Sequence, residues 1–210
     1  MTFASIIMPA FNVQATMRDT LAALLAQTYP DFEIIIVDDG ATDCTPGIAA
    51  EFATDARVRV IRQANRGLAG ARNSGIAAAR GDVIGFCDAD DIWEPQKLAR
   101  HVAHLNANPH VGISYSGSAL MDDNGTLTGQ AQRPRLHDVT ASHIFKRNPI
   151  GNGSAPVIRR AVFTQIAYRP RHETQRDWYF DETFRQSEDI ECWLRIALTT
   201  DWAFEGVPGL

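Results

Sequence analysis

Cysteine is scarce, and nothing in its placement suggests pairing. Cys44, Cys87 and Cys192 are odd in number, far apart and form no C-x-x-C, which excludes a disulfide framework and a zinc ribbon. Reduced thiols of this kind fit a cytosolic compartment. Lysine is scarcer still, with 2 Lys against 18 Arg. Arginine suits bidentate grip on phosphate or carboxylate, although codon bias in a GC-rich genome accounts for the ratio. Net charge is −5, without the basic balance of a nucleic-acid binder. No apolar run approaches the roughly 18 residues of a membrane span, and no basic region follows Met1 as in a signal peptide. Repeats, low-complexity tracts and Gly/Ser linkers are absent. The six histidines show no H-E-x-x-H or other ligand spacing and read as surface or helix residues. Ser154 and Ser187 lack a nucleophile elbow.

What remains is an ordinary globular composition. The 210 residues are 45% hydrophobic, enough for one core in one domain or two closely packed halves. Short apolar runs alternate with amphipathic stretches: strands at 3–8 (ended by Pro9), 33–37, 58–62 and 83–87; helices at 16–27, 45–53, 68–79 and 95–106. Thr45-Pro46 reads as an N-cap followed by Pro at the first helical position. Such alternation predicts right-handed βαβ units and a parallel sheet. Runs such as Ile34-Ile35-Ile36-Val37 suit a sheet covered on both faces, and ligands then bind beyond the carboxyl ends of the strands. After about residue 111 the rhythm changes. The spacing predicts a strand at 111–115 and another near Leu127, flanking the hairpin signal Asp123-Asn124-Gly125. A helix at 139–146, a strand near 155–158, an aromatic and charged loop at 168–184 and a helix at 190–198 follow. The division is therefore 1–115 and 116–210, the second half packing on the edge of the first sheet.

Three acidic clusters fall at the predicted strand ends. Asp38 and Asp39 follow the Ile-rich strand, with Gly40 permitting a tight turn. Adjacent carboxylates repel, and donors on a nucleotide base or ribose would reward keeping both, while turn chemistry alone explains Asp38 equally well. Asp88, Asp90 and Asp91 make a hard-oxygen cluster suited to Mg²⁺ or Mn²⁺; alternatively Asp91 caps the helix near Pro95. Between them, Gly67 and Gly70 lead into a helix whose N-terminus suits an anion, and Arg66 and Arg72 either hold phosphate or base or face solvent. Ser187-Glu188-Asp189 opens the last helix, as a cap, a general base or both.

With these residues in view, the sequence resembles the family 2 glycosyltransferases of GT-A fold. The resemblance is carried in order by Ser5–Asn12, Val37–Asp43, Asn65-Arg66-Gly67 with Ala71–Gly75, Phe86–Asp91, and Glu188-Asp189 with Trp193 and Arg195. It covers nearly the whole chain. It implies an α/β fold: a Rossmann-like, mostly parallel sheet flanked by helices, with a smaller mixed acceptor-side half. It implies an inverting transfer from a nucleotide-sugar donor, UDP-linked, to a saccharide or lipid-linked acceptor, with Mg²⁺ or Mn²⁺. Bacterial surface or exopolysaccharide assembly is the implied setting, cytoplasmic or at the cytoplasmic membrane face. By position, Pro9, Phe11 and Asp39 resemble base and ribose contacts, Asp88 a ribose or diphosphate neighbour, Asp90 the metal ligand, Arg72 a donor-binding arginine and Asp189 the catalytic base. Asn12, Asp38, Arg66, Asp91, Glu188, Trp178 and Trp193 are secondary candidates. In the 168–184 loop, Trp178, Tyr179 and Phe180 either stack an acceptor sugar or pack inward as an anchor.

The sequence departs from the family pattern in three places. Ala41 stands where Ser is common. No Q-x-x-R-W occurs, which argues against processive synthesis through a membrane channel. Relatives usually continue past the point where this chain stops, with a strand and helices that help close the site. Two other readings fit parts of the sequence. One is a non-catalytic nucleotide-sugar-binding fragment. The other is an aspartyl-phosphate phosphatase, against which the late position of Asp88 and the Asp91-Ile92 that follows both count.

Overall fold

The computed structural model describes residues 1–122 and 124–209. Nine strands and seven helices are ordered β1 (Ala4–Ala10), α1 (Met17–Leu25), β2 (Phe32–Asp38), α2 (Thr45–Phe52), β3 (Val58–Arg62), α3 (Gly67–Ala78), β4 (Val83–Phe86), α4 (Lys97–Ala107), β5 (Val111–Tyr115), β6 (Ser118–Met121), β7 (Leu127–Gln132), α5 (Ala141–Lys146), β8 (Val157–Arg159), α6 (Arg160–Ile166), α7 (Glu188–Thr199) and β9 (Ala203–Gly206) among the described residues. Seven strands form one sheet in the order β3-β2-β1-β4-β8-β5-β9. Only β8 runs antiparallel to its neighbours. The strand order reverses between β1 and β4, the switch point at which such sheets leave a crevice.

Both faces of the sheet are covered, as the uninterrupted apolar runs require. Alternate residues of β1 serve different cores. Ile7 belongs to the core that also takes in Ile76 of α3, Phe163 of α6 and Trp193 of α7. Ile6 and Met8 pack with Leu21 and Leu24 of α1, Ile48 of α2 and Val102 of α4. Each fully buried aliphatic side chain of this kind stabilises the fold by about 1.5–3 kcal/mol. Gly75 lets α3 lie against β1, because a Cβ there would collide with the Ile7 side chain.

Four expectations are corrected. Pro9 does not end β1. Ile7 O faces β4 and Ala10 O faces β2, so the position without an N–H points to where β4 has already finished, and no ladder bond is lost. Thr45 is not the N-cap of α2; Cys44 is, and Thr45 Oγ1 instead accepts the Val13 N–H at 2.9 Å. The hairpin joins β6 and β7; β6 has no period-2 apolar signal, and Asp123 lies outside the described residues. The chain after 115 does not simply pack on the sheet's edge: β8 inserts between β4 and β5. Of the histidines, His101 is in the core of α4, bonded to Ser114 Oγ at 2.8 Å, and desolvation holds its pKa well below the usual value.

Candidate active site

At the β1/β4 switch point a cleft of about 450 Å³ is lined by Pro9, Phe11, Asp39, Leu68, Asp88 and Asp90, among others. Each comes from the carboxyl end of β1, β2 or β4, or from the first turn of α3. A shallower depression of about 670 Å³ lies between α1 and α2; its two charged lining residues, Arg18 and Glu51, pair with each other at 2.8 Å.

The two carboxylates after β2 have separate tasks. Asp38 is a turn residue: Oδ1 accepts the Ala41 N–H at 2.9 Å and Oδ2 faces Arg62 Nε at 3.3 Å. Asp39 reaches the cleft wall, held by Gln63 Nε2 at 2.6 Å and the Arg66 N–H at 3.0 Å. Gly40 makes the approach possible. Its φ is +79°, and a Cβ would sit 3.0 Å from the Asn65 nitrogen. Asn12, at φ 54°, fastens the facing loop by accepting the Thr42 N–H at 2.8 Å. Phe11, at 48% exposure, presents an open ring at the cleft mouth.

The carboxylates after β4 divide as well. Asp88 and Asp90 line the cleft, and Asp90 is exposed. Asp91 does not join them. Burial raises its pKa, opposed by a hydrogen bond from Ser154 and reinforced by repulsion from Asp88 and Asp90. Nor does it cap α4, where Gln27 Oε1 takes the Leu98 N–H at 2.9 Å. The expected three-carboxylate site is therefore two, and among the described residues no group of three or more His, Cys, Asp or Glu is gathered to hold a metal. Two cleft carboxylates fit Mg²⁺ or Mn²⁺ shared with substrate phosphates, the usual mode for Mg²⁺. They do not fit an all-protein cage.

Neither arginine of the α3 segment faces solvent or projects into the cleft. The Arg66 side chain folds back onto Glu182 (2.6 Å), Ser74 Oγ (3.1 Å) and Gly70 O (3.2 Å); only its backbone N–H serves Asp39. Arg72 is 2% exposed. It bridges Asp88 Oδ1 at 3.0 Å and Glu188 Oε1 at 2.8 Å, above the rings of Phe86 and Phe180. This bridge brings the start of α7 beside the end of β4.

Ser187 precedes α7 in the left-handed region, φ 62°, and makes no side-chain cap. Asp189 supplies its own, Oδ1 accepting the Ile190 N–H at 2.8 Å, while Oδ2 accepts from Asn148 Nδ2 at 3.1 Å. Asp189 is half-buried, whereas Glu188 is buried under Arg72. The aromatic loop packs inward. Phe180 and Trp178 are buried, Phe180 edge-on to Phe86 and Trp193, which favours the anchor over the acceptor-stacking surface of the two alternatives. Trp193 is itself core.

Sequence reasoning missed the residues that hold these groups. Gln63 and Asn148 sit in connecting segments without a periodic signal. Ser154 Oγ accepts the Asp88 N–H at 2.8 Å. Asn73 takes the N–H groups of Tyr179 and Phe180 at 3.0 and 2.8 Å. Lys97 donates to Ala155 O at 2.8 Å above the Trp93 ring, and burial lowers its pKa to about 8.

Known proteins resemble this chain in sequence and in fold. The chain is 53% identical over 210 residues to the uncharacterized glycosyltransferase EpsJ of Bacillus subtilis, covering 88% of this chain and 53% of that protein. It is 31% identical over 193 residues to the UDP-Glc:alpha-D-GlcNAc-diphosphoundecaprenol beta-1,3-glucosyltransferase WfgD of Escherichia coli, covering 91% and 68%. The chain spans about half the length of several curated relatives it matches. The fold superimposes on S. aureus TarS 1-349 in complex with UDP-GlcNAc, with TM-score 0.75 at 22% identity over 99% of this chain and 56% of that one. It also superimposes on the mannosyltransferase PcManGT of Pyrobaculum calidifontis in complex with GDP-Man and Mn²⁺, with TM-score 0.69 at 20% identity over 99% and 55%. The family model described as Glycosyl transferase family 2 matches residues 5–167, and the chain belongs to that family.

Proposed function

We propose that the chain transfers a sugar from a nucleotide-sugar donor, UDP-linked, to an acceptor hydroxyl with inversion, in polysaccharide assembly at the cytoplasmic membrane face. The observation that carries this reading is the convergence of Asp39, Asp88 and Asp90 on one cleft, with the start of α7, where Asp189 follows Glu188, tied to Asp88 by the Arg72 bridge. The named substrates of WfgD and the ligands of the TarS and PcManGT complexes support a nucleotide-sugar donor. An aspartyl-phosphate mechanism gains no support, because the Asp88 carboxylate is already paired with Arg72.

In this reading Phe11 and Pro9 flank the nucleoside and Asp39 accepts an N–H from the base. The first turn of α3, with Gly67 and Leu68 on the cleft, would offer helix N-terminal N–H groups to the phosphates, the Gly67 N–H being shared with Asn65 Oδ1. Mg²⁺ or Mn²⁺ held by Asp90, with Asp88 beside it, would neutralise charge developing on the diphosphate leaving group. Asp189 removes the acceptor hydroxyl proton on the face opposite the leaving group, which gives in-line attack and inversion. Asn148 fixes the orientation of that carboxylate, so little reorganisation is needed. Arg72 orients Asp88 and Glu188 rather than touching the donor.

A thermal-shift screen of nucleotide sugars with and without Mn²⁺ tests the reading, since a ligand that binds only the folded state raises its stability. A UDP-sugar should stabilise the chain in the presence of Mn²⁺. Absence of stabilisation by every nucleotide diphosphate sugar would overturn it, and stabilisation without subsequent transfer to any acceptor would favour a binding fragment.

A further inference from the structure

We propose that Gln63 is a positioning residue for base selectivity: it fixes the orientation of the Asp39 carboxylate and leaves Oδ2 as the acceptor for a ligand, so that the cleft takes bases presenting an N–H and refuses those presenting a ring-nitrogen lone pair. The proposal rests on the reading that Asp39 meets the base.

The orientation of the Gln63 amide follows from its neighbours. Its Oε1 faces Arg66 Nη1 at 3.4 Å and Ser74 Oγ at 2.5 Å. A guanidinium only donates, so the amide atom turned to it is the oxygen, and Nε2 must face Asp39. Arg66 cannot swing away, because Glu182 grips it through Nη2 at 2.6 Å and Nε at 3.1 Å. Glu182 is in turn bonded to Asn73 Nδ2 at 3.0 Å. The chain Glu182–Arg66–Gln63 therefore ends on one oxygen of Asp39.

That oxygen, Oδ1, takes both Gln63 Nε2 and the Arg66 N–H. Oδ2 has only a longer share of the same N–H, at 3.2 Å. A carboxylate accepts hydrogen bonds and does not donate them, and the two donors on Oδ1 fix which oxygen is left for a ligand. Oδ2 keeps its lone pairs for a ligand. Uracil, thymine and guanine carry a ring N–H that meets this need. Cytosine and adenine turn a lone pair to the corresponding position and are repelled. Gln63 itself is not among the residues lining the cleft, so it acts through Asp39.

Calorimetry with UDP, CDP and inorganic pyrophosphate in Mn²⁺ buffer tests this on the whole chain. Gln63→Leu should cut the UDP-over-CDP preference roughly tenfold, the scale of one hydrogen bond's differential contribution, and leave pyrophosphate affinity unchanged. Gln63→Glu sets a second carboxylate against Asp39 so that the pair shares a proton. CDP binding should then strengthen as pH falls within the range where cytosine N3 itself stays unprotonated, a dependence absent from the wild type there. An unchanged preference in both variants, or equal losses for UDP and pyrophosphate, overturns the proposal. If the wild type itself binds UDP and CDP alike, the base-reading role of Asp39 fails with it. If Asp39→Asn alters the ratio and neither Gln63 variant does, only the role of Gln63 falls.

Discussion

Arg72 and Glu188, 116 residues apart in the chain, meet at 2.8 Å in the interior. The same guanidinium reaches Asp88, so one side chain ties the end of β4 to the start of α7. The cleft carboxylate and the helix carrying Asp189 are thereby fixed to a common point. Arg72 and Glu188 are nearly solvent-free, with side-chain exposures of 3% and 9%. Neither would be tolerated there alone.

Replacing Arg72 by Met should destabilise the fold by about 3–5 kcal/mol, because it strands Glu188 as an uncompensated buried charge. Adding Glu188→Gln should recover much of that loss, since no charge is then stranded. Urea unfolding of the single and double variants checks this. Additive losses would mean that the pair is not coupled.

Asp189→Asn should lower turnover by about 10²–10⁴-fold, the usual contribution of a general base, with donor affinity retained. The asparagine can still accept the Ile190 N–H, but its amide then meets Asn148 Nδ2 donor to donor, at a cost of about 1 kcal/mol. Turnover and donor affinity measured together decide the matter. Loss of affinity equal to the loss of rate would move the base elsewhere.

Asp90→Ala should abolish the Mn²⁺-dependent part of UDP binding while leaving thermal stability unchanged, because this side chain is exposed. Isothermal calorimetry with and without Mn²⁺ reads the effect. Intact metal dependence in the variant would remove Asp90 from the role.

Lys97 gives the chain a characteristic pH dependence. The residue as a whole is half-buried, and desolvation of its ammonium lowers its pKa to about 8, against 10.5 when unperturbed. Between those values the unfolded chain binds more protons at this site, so this group makes stability rise with pH across the window. Below about 8 both states are protonated and its slope vanishes. The stability of the wild type relative to Lys97→Met should therefore increase as pH rises above about 8, as followed by urea unfolding. A difference independent of pH would show that the ammonium is not desolvated.

The sequence alone determined the alternating elements and the carboxylates at the strand ends. Apolar periodicity and turn residues are local signals, and a strand of four consecutive aliphatic residues is buried wherever it lies. Asp39, Asp88 and Asp90 were legible because parallel strands present their carboxyl ends to one crevice. What local signals cannot encode is partnership. Asp38 and Asp39 are adjacent and chemically alike, and only Arg62 and Gln63 on the neighbouring strand's end separate a turn residue from a cleft residue. Arg66 and Arg72 looked like ligand-binding residues until tertiary packing supplied Glu182 and Glu188 as their counterions. For Trp178, Tyr179 and Phe180 the sequence left stacking and inward anchoring open, and the contacts of Asn73 and Phe86 draw the loop inward. The insertion of β8 between β4 and β5 was likewise invisible. A three-residue strand carries too little period to announce its place, and its position is set by which sheet edge remains free when the chain returns.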